Sequence, residues 1–474
     1  MQYTIESLLD NIHYITDEKE LNMIKKAYGI SKQVHQNRKR LSGEPFFIHP
    51  FEVAMINIKE KRDAYTIAAA LLHDATEEEK VPIDYIEKNV HKTVAFLVNG
   101  VTRFSKLDFT NVSDEIISST RKLLEYLCVD IRVIYIKLAD RLHNMRTIEF
   151  QSKEKQEKKA KENFEFYIFL ANYIGAYDIK CELEDISFEV IDKARYEAVK
   201  KLISRIYNEN KIILEETKNN ISRQLTTCKI SHTIQISNKS IYSTYKRLLD
   251  NIDPNAMHDV LGLTLIVDDV KDCYIALGVI HSLYSHNGKK LKDYINPPKY
   301  NHYQSFHTTI SADNVLIQCK TRTKEMDLCA RNGFNQISEE TLEKDMENLK
   351  EKLSFFGTLH KIFEIEDDKE CMGQIKRELF TDTIDVYDIN GKIIVLPKGA
   401  TVLDFILRTN PELIKKIGIV TVNEKYKKLN CKLKKSDVVR VMPSDMHKTP
   451  KVNLSWLNKC ETYHAKQLIK QIIK

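Results

Sequence analysis

AALLHDATEEEK, residues 69–80, sets four apolar side chains ahead of a His-Asp pair and a run of three glutamates. In the longer stretch YTIAAALLHDATEEE the apolar spacing predicts a helix over 65–79 with a buried beginning and a polar end. Taken alone, such a histidine is an ordinary surface or satisfied core residue, and the glutamates are a solvated helix end. On a helix, however, Glu77 falls four residues after His73 and Glu78 four after Asp74, so each carboxylate shares a face with a potential metal ligand. Asp74, Glu77, Glu78 and Glu79 also repel one another unless solvent or a cation relieves them.

The pair has company. RLSGEPFFIHP places His49 before Pro50, and VIYIKLADRLHNMRT places Asp140 in an apolar helical run, with Asn144 one turn later on the same face. Two imidazoles and two carboxylates on helices that otherwise bury themselves suit an octahedral-type site for a divalent ion. Mn²⁺ is the best match, while Zn²⁺ and Fe²⁺ satisfy the same donors.

Working outward, KTVAFLVNGV (92–101), the run 119–150 and FEFYIFLANYIGAY (164–177) repeat the helical period, so residues 1–200 read as an all-α domain. The charged QSKEKQEKKAKENFE (151–165) reads as a solvated helix inside it rather than a linker. From about 230 the pattern turns to β-branched runs, HDVLGLTLIVDD and YQSFHTTISADNVLIQCKTRT, mixed with helical KSIYSTYKRLLDNI and VKDCYIALGVIHSLY. This predicts an α+β domain over 201–340, followed by a charged helical linker over 341–379. In TIDVYDINGKIIVLPKGATVLDFIL, Asn390-Gly391 between alternating strands predicts a type I′ hairpin. With a helix from about 401 and the strand SDVVRVMPS, residues 380–444 form a small β-plus-helix module, and 445–474 a short amphipathic helical tail.

The bulk composition narrows the class. The 474 residues exceed what one core organises, and 42% hydrophobic with 30% charged side chains is the composition of a soluble multidomain protein. A net charge of +6 from 73 basic and 67 acidic residues suits an anionic ligand but is too dilute for DNA binding. Nine cysteines without a CxxC pair argue against a disulfide framework and for a reducing cytoplasm. The N-terminus lacks a signal-like apolar core, and no run of about 18 apolar residues predicts a membrane span.

His49, His73-Asp74 and Asp140 follow the H…HD…D pattern of HD-type metal phosphohydrolases. SGEPFFIHP, AALLHDATEEE and DIRVIYIKLADRLHNMRT more narrowly resemble the hydrolase domain of the RelA/SpoT homologue family, which makes and degrades guanosine tetra- and pentaphosphate. KDYINPPKYNHYQSFHTT resembles that family's synthetase domain and LPKGATVLDFIL its TGS module. The resemblance implies a multidomain α+β chain with an all-α hydrolase domain, an α+β nucleotidyltransferase-like synthetase domain and a β-grasp TGS domain. It further implies that His49, His73, Asp74 and Asp140 hold Mn²⁺. Glu77 and Glu78 would position and activate the attacking water, and Arg40, Ser42 and Asn144 would contact the guanine nucleotide. Leu41 departs from the lysine of many relatives. The chain stops shortly after the TGS module, so the regulatory domains of long relatives are expected to be absent.

In the synthetase region the resemblance assigns Asp259 to Mg²⁺, Lys239, Arg247, Lys292 and Lys299 to phosphates, and Tyr303 to guanine stacking; Asn301, Gln304 and His307 also match the motif. Yet QCKTRT puts Gln318 where the family has its catalytic glutamate, and Ser237, Thr264 and Leu291 stand where it has arginines. Charged phosphate contacts contribute roughly 1.5–3 kcal/mol each, and losing a general base costs about 10²–10⁴-fold. The expectation is therefore a manganese-dependent guanosine 3′,5′-bis(diphosphate) 3′-pyrophosphohydrolase with an inactive synthetase domain. The rivals are a bifunctional enzyme, a nucleotide-sensing protein whose TGS module grips RNA or protein, and an HD enzyme acting on other nucleotides.

Overall fold

Asp63 opens the helix that carries the quoted stretch. Its carboxylate accepts from the Thr66 amide at 2.8 Å, an N-cap bond, and from Arg132 Nη1 at 2.9 Å. The structure is a computed structural model that describes residues 3–76, 81–105, 130–249, 260–286, 288, 291–296, 298, 303–333, 383–443 and 452–473. They fall into two compact units, one holding the described residues up to 333 and the other those from 383.

The first unit begins with helices α1 (Ile5–Leu9), α2 (Glu18–Val34), α3 (Ile48–Lys59), α4 (Ala64–Leu72), α5 (Ile83–Asn89), α6 (Lys92–Ser105) and α7 (Arg132–Arg146). α4 packs against α2, α3, α6 and α7, and all its residues but Tyr65 are buried, as a helix apolar on every side requires. Burying Ile67, Leu71 and Leu72 contributes roughly 1.5–3 kcal/mol each. The helix expected over 65–79 is shorter than the pattern implied: it ends at Leu72 with His73 as its C-cap. There the His73 ring turns back so that its Nδ1 meets the Ala70 carbonyl at 2.8 Å, satisfying an acceptor of the last turn.

The charged segment forms helix α8 (Lys153–Glu162), followed by α9 (Ile168–Tyr173), α10 (Tyr177–Ile191) and the 35-residue α11 (Lys193–Thr227). The boundary expected at 200 falls inside α11, because its apolar stripe is continuous. Val199 and Ile203 pack with Val260, and Leu214, Ile221 and Leu225 enter the core of the following sheet.

That sheet runs β1-β2-β6-β5-β3, with β4 also on β5; the strands are β1 (His232–Asn238), β2 (Leu261–Val267), β3 (Ser285–His286), β4 (Lys292–Asp293), β5 (Phe306–Ala312) and β6 (Val315–Thr323). The helices between and after them are α12 (Ile241–Leu249), α13 (Val270–Leu283) and α14 (Lys324–Asn332). Leu263, Leu265, Ile317 and Cys319 face a core shared with α11 and α13. β5 and β6 are joined by Asp313-Asn314, both with positive φ (46° and 65°), so the type I′ turn in this region lies here.

In the second unit β7 (Thr383–Asp388), β8 (Ile393–Pro397), β9 (Ile417–Val422), β10 (Lys425–Tyr426) and β11 (Val438–Pro443) form a mixed sheet ordered β10-β9-β11-β7-β8, with α15 (Val402–Thr409) packed against it. The expected hairpin between β7 and β8 is present, but its turn is not type I′. Only Gly391 has positive φ (80°), the Gly391 amide donates to the Asp388 carbonyl, and Asp388 pairs with Lys392 around a three-residue loop. The Asp388 carboxylate selects this loop by accepting the amides of Asn390 and Lys392, each at 2.8 Å. The tail contains the expected helix, α16 (Tyr463–Ile473), and Trp456, Cys460, Ala465 and Ile469 complete the core of this unit. The linker expected over 341–379 lies outside the described residues. Among the described residues, no helix is long and apolar enough to cross a membrane.

Candidate metal centre

Three helices converge on one buried cluster. α3 supplies His49 from its first turn, where Pro50 is tolerated because an amide there needs no intrahelical partner. The end of α4 supplies His73 and Asp74, and α7 supplies Asp140. Ligand atoms of His49, His73 and Asp140 all lie within 4.8 Å of one another. His49 Nε2 is 3.3 Å from Asp74 Oδ2 and 3.3 Å from Asp140 Oδ1; His73 Nε2 is 3.2 Å from Asp74 Oδ1 and 3.9 Å from Asp140 Oδ1. Ligands bound to one ion at about 2.1 Å sit roughly 3–3.5 Å apart, so this set fits a divalent metal with little adjustment.

The nitrogen placement tests that fit independently. Because His73 Nδ1 faces the Ala70 carbonyl it carries the hydrogen, which leaves Nε2 as a lone pair. Among the described residues, this Nε2 is buried and makes no hydrogen bond. A buried acceptor aimed at two carboxylates is a poor structural feature unless a cation stands between them.

Asp140 is held from the opposite side. Lys137 Nζ lies 2.6 Å from its Oδ2, and Asn144 Nδ2 donates to its Oδ1 at 2.6 Å. Burial opposes ionisation of Asp140, but Lys137 and the two imidazoles outweigh it and hold the carboxyl well below the usual range. Lys137 was not singled out in the sequence, although a lysine inside VIYIKLADRL, three residues before an aspartate, was its visible signal.

Arg40 and Asn144 lie side by side: Arg40 Nη2 donates to Asn144 Oδ1 at 3.2 Å and to Thr147 Oγ1 at 3.3 Å. Arg40 Nη1 also lies 2.9 Å from His143 Nδ1, and the His49 Nδ1 lies 2.8 Å from that same atom. Burial, with His49 and Arg40 alongside, pushes His143 down to about 3. Arg40 stands at the mouth of a tight loop, closed by bonds from its amide to the Glu44 carbonyl and from the Gly43 amide to its own carbonyl. Gly43 (φ 86°) supplies the left-handed residue. Ser42 lies in this loop with its hydroxyl on Glu44 at 3.1 Å, and Leu41 is 72% exposed. Glu77 and Glu78 lie outside the described residues.

The synthetase-like residues gather on the sheet face opposite the α11 and α13 core. Ser237, Gly262, Gln318 and Thr309 are successive cross-strand partners, and so are Gln235, Thr264, Lys320, His307 and Lys292 in the neighbouring row. The positions where the resemblance leads one to expect arginine (Ser237, Thr264) and glutamate (Gln318) therefore share one face over three adjacent strands. Lys239 follows β1, Arg247 lies on α12, and Leu291 just precedes β4. Tyr303 bonds His307 Nε2 through its hydroxyl at 2.6 Å and lines a small cavity with Asn172, Gly175, Tyr177, Cys329 and Ala330. That cavity is not at the metal cluster. Asp259, Lys299 and Asn301 lie outside the described residues.

Comparison with known proteins matches an HD domain at residues 27–177, a region found in RelA / SpoT proteins at 237–339 and a TGS domain at 384–442. A GTP pyrophosphokinase of Myxococcus xanthus is 33% identical over 96% of this chain and 61% of its own length. A guanosine-3′,5′-bis(diphosphate) 3′-pyrophosphohydrolase of Aquifex aeolicus is 33% identical over 100% of this chain and 67% of its own. The bifunctional (p)ppGpp synthase/hydrolase SpoT of Escherichia coli K12 is 31% identical over 100% and 68%. The chain thus spans between 61% and 68% of the length of these relatives.

Proposed function

The chain belongs to the RelA/SpoT family, and from that premise we propose that it is a Mn²⁺-dependent hydrolase of guanosine 3′,5′-bis(diphosphate) whose synthetase domain makes no product. The observation that carries the reading is the asymmetry between the two sites. His49, His73, Asp74 and Asp140 form a compact donor set with an unsatisfied buried nitrogen, whereas Ser237, Thr264 and Gln318 leave a sheet face without the cations and carboxylate that pyrophosphate transfer needs.

When bound, the ion supplies Lewis acidity and neutralises charge developing on the 3′-diphosphate. The two histidines and two aspartates hold it, with Lys137 and Asn144 fixing the Asp140 carboxylate. Glu77 and Glu78 orient the attacking water and take its proton. Water oxygen bonds to the phosphorus attached to the ribose 3′ oxygen, the bond between those two atoms breaks, and the ribose oxygen is protonated. Pyrophosphate and GDP, or GTP from the pentaphosphate, leave. Arg40, Ser42 and Asn144 grip the nucleotide, Arg40 as a fixed cation.

The reading is tested with protein stripped by chelator, reloaded with Mn²⁺ and assayed for pyrophosphate release from guanosine tetraphosphate. Release is expected from the reloaded wild type and not from Asp74→Ala. Equal release from both would remove the metal mechanism.

A further inference from the structure

Arginine can only donate hydrogen bonds, and at this site that restriction decides where protons lie on its neighbours. Arg40 Nη1 lies 2.9 Å from His143 Nδ1, so Nδ1 is the acceptor and the hydrogen of this buried ring belongs on Nε2. The same Nδ1 is 2.8 Å from His49 Nδ1. Since His143 Nδ1 has no hydrogen to give, His49 Nδ1 carries one and donates it. The lone pair of His49 is then on Nε2, the atom that faces Asp74 and Asp140 at 3.3 Å each. A second chain runs in parallel: Arg40 Nη2 donates to Asn144 Oδ1, which fixes the amide so that Nδ2 donates to Asp140 Oδ1.

We propose that His143 is a positioning residue of the metal centre, which accepts from Arg40 and His49 together and thereby presents His49 Nε2 to the ion. The inference deepens the hydrolase reading and rests on it for the identity of the centre. Its consequence is a link between the loop that meets the nucleotide and the ligands that hold the metal. Arg40 touches no ligand side chain directly in either chain, yet it sets the tautomer of one ligand through His143 and the hydrogen bond of another through Asn144. Partners of this kind, one bond removed from a metal, typically change its affinity 10–100-fold when mutated.

The direct test is the imidazole tautomers of the metal-free wild type, read from nitrogen-15 shifts of histidine-labelled protein. The expected pattern is a hydrogen on Nε2 of His143 and on Nδ1 of His49; a hydrogen on His143 Nδ1 would overturn the proposal. Metal affinity is then measured without nucleotide, by competition with a chelator. His143→Leu should weaken Mn²⁺ binding about 10–100-fold. His143→Asn, whose amide oxygen can accept near the Nδ1 position, should recover most of it, and Arg40→Ala should weaken it severalfold. Unchanged affinity in His143→Leu, or no recovery in a folded His143→Asn, would sink the assignment. The wild-type tautomers decide the matter if a variant does not fold. Absence of guanosine tetraphosphate hydrolysis with the tautomers as stated would sink only the functional reading.

Discussion

Lys137 Nζ lies 2.6 Å from Asp140 Oδ2 inside the helical part of the chain, and both side chains are about nine-tenths buried. The lysine holds one carboxylate oxygen while the other faces the imidazoles. Lys137→Met should leave a buried carboxylate without its cation, lowering the stability of the metal-free protein by about 3–5 kcal/mol. Part of that loss should return when Mn²⁺ is added, because the ion then supplies the missing charge. Urea unfolding with and without chelator measures both; a variant as stable as wild type in chelator would deny the pair its role.

Glu60 gives a pH dependence of known sign. Burial pushes its carboxyl from 4.5 up to about 7, against the opposing pull of Arg62, and its Oε2 makes no hydrogen bond among the described residues. A folded-state value above the unfolded one means that folding takes up a proton between them. The associated stability is therefore complete below pH 4.5 and is lost as pH rises through about 7. Glu60→Gln should flatten this part of the stability profile, removing a slope of about 1–3 kcal/mol overall. Unfolding curves at closely spaced pH values should show it, and an identical slope in the variant would assign the dependence elsewhere.

Asp404 ties the tail to the second unit. Its buried carboxylate accepts from the amide and hydroxyl of Thr401, at 2.7 and 2.8 Å, from the Glu461 amide at 3.0 Å and from the amide and hydroxyl of Thr462, at 2.9 and 2.7 Å. Asp404→Ala strands these donors, and a destabilisation of about 3–5 kcal/mol is expected. Amide exchange should accelerate through 461–473 well before the rest of the unit. Protection unchanged in that segment would show that the apolar contacts of Trp456, Ala465 and Ile469 suffice.

The buried His/His/Asp cluster was largely legible because its residues sit in motifs that also fix the helices. His49, His73 and Asp140 could be paired from the sequence alone, since apolar runs around each one forecast burial. His143 was not legible. Its importance comes from a partner 103 residues away, Arg40, and no spacing rule connects them. The end of α4 was misjudged for a local reason: periodicity measures which residues face the core, not whether His73 turns back onto the Ala70 carbonyl. The Asn390-Gly391 turn was misjudged because Asp388 captures two loop amides, whereas the unremarked Asp313-Asn314 adopts the two left-handed residues that a type I′ turn needs.

The synthetase face should be silent. In an Asp74→Ala background, which prevents product from being degraded as it forms, Mg²⁺, ATP and GDP or GTP should give no guanosine tetra- or pentaphosphate. Gln318→Glu alone should not restore synthesis, because Ser237, in its row across Gly262, and Thr264, in the neighbouring row, still lack the phosphate-binding cations. Robust synthesis by the Asp74→Ala protein would make the chain bifunctional.

Phosphorus-31 NMR of guanosine 3′,5′-bis(diphosphate) incubated with purified, Mn²⁺-loaded protein addresses the central claim most directly. The 3′-diphosphate resonances should disappear, those of the 5′-diphosphate should persist, and free pyrophosphate should accumulate, with all change abolished by chelator and restored by Mn²⁺. Persistence of the 3′ resonances with loaded protein, or their loss in the presence of excess chelator, would contradict the account.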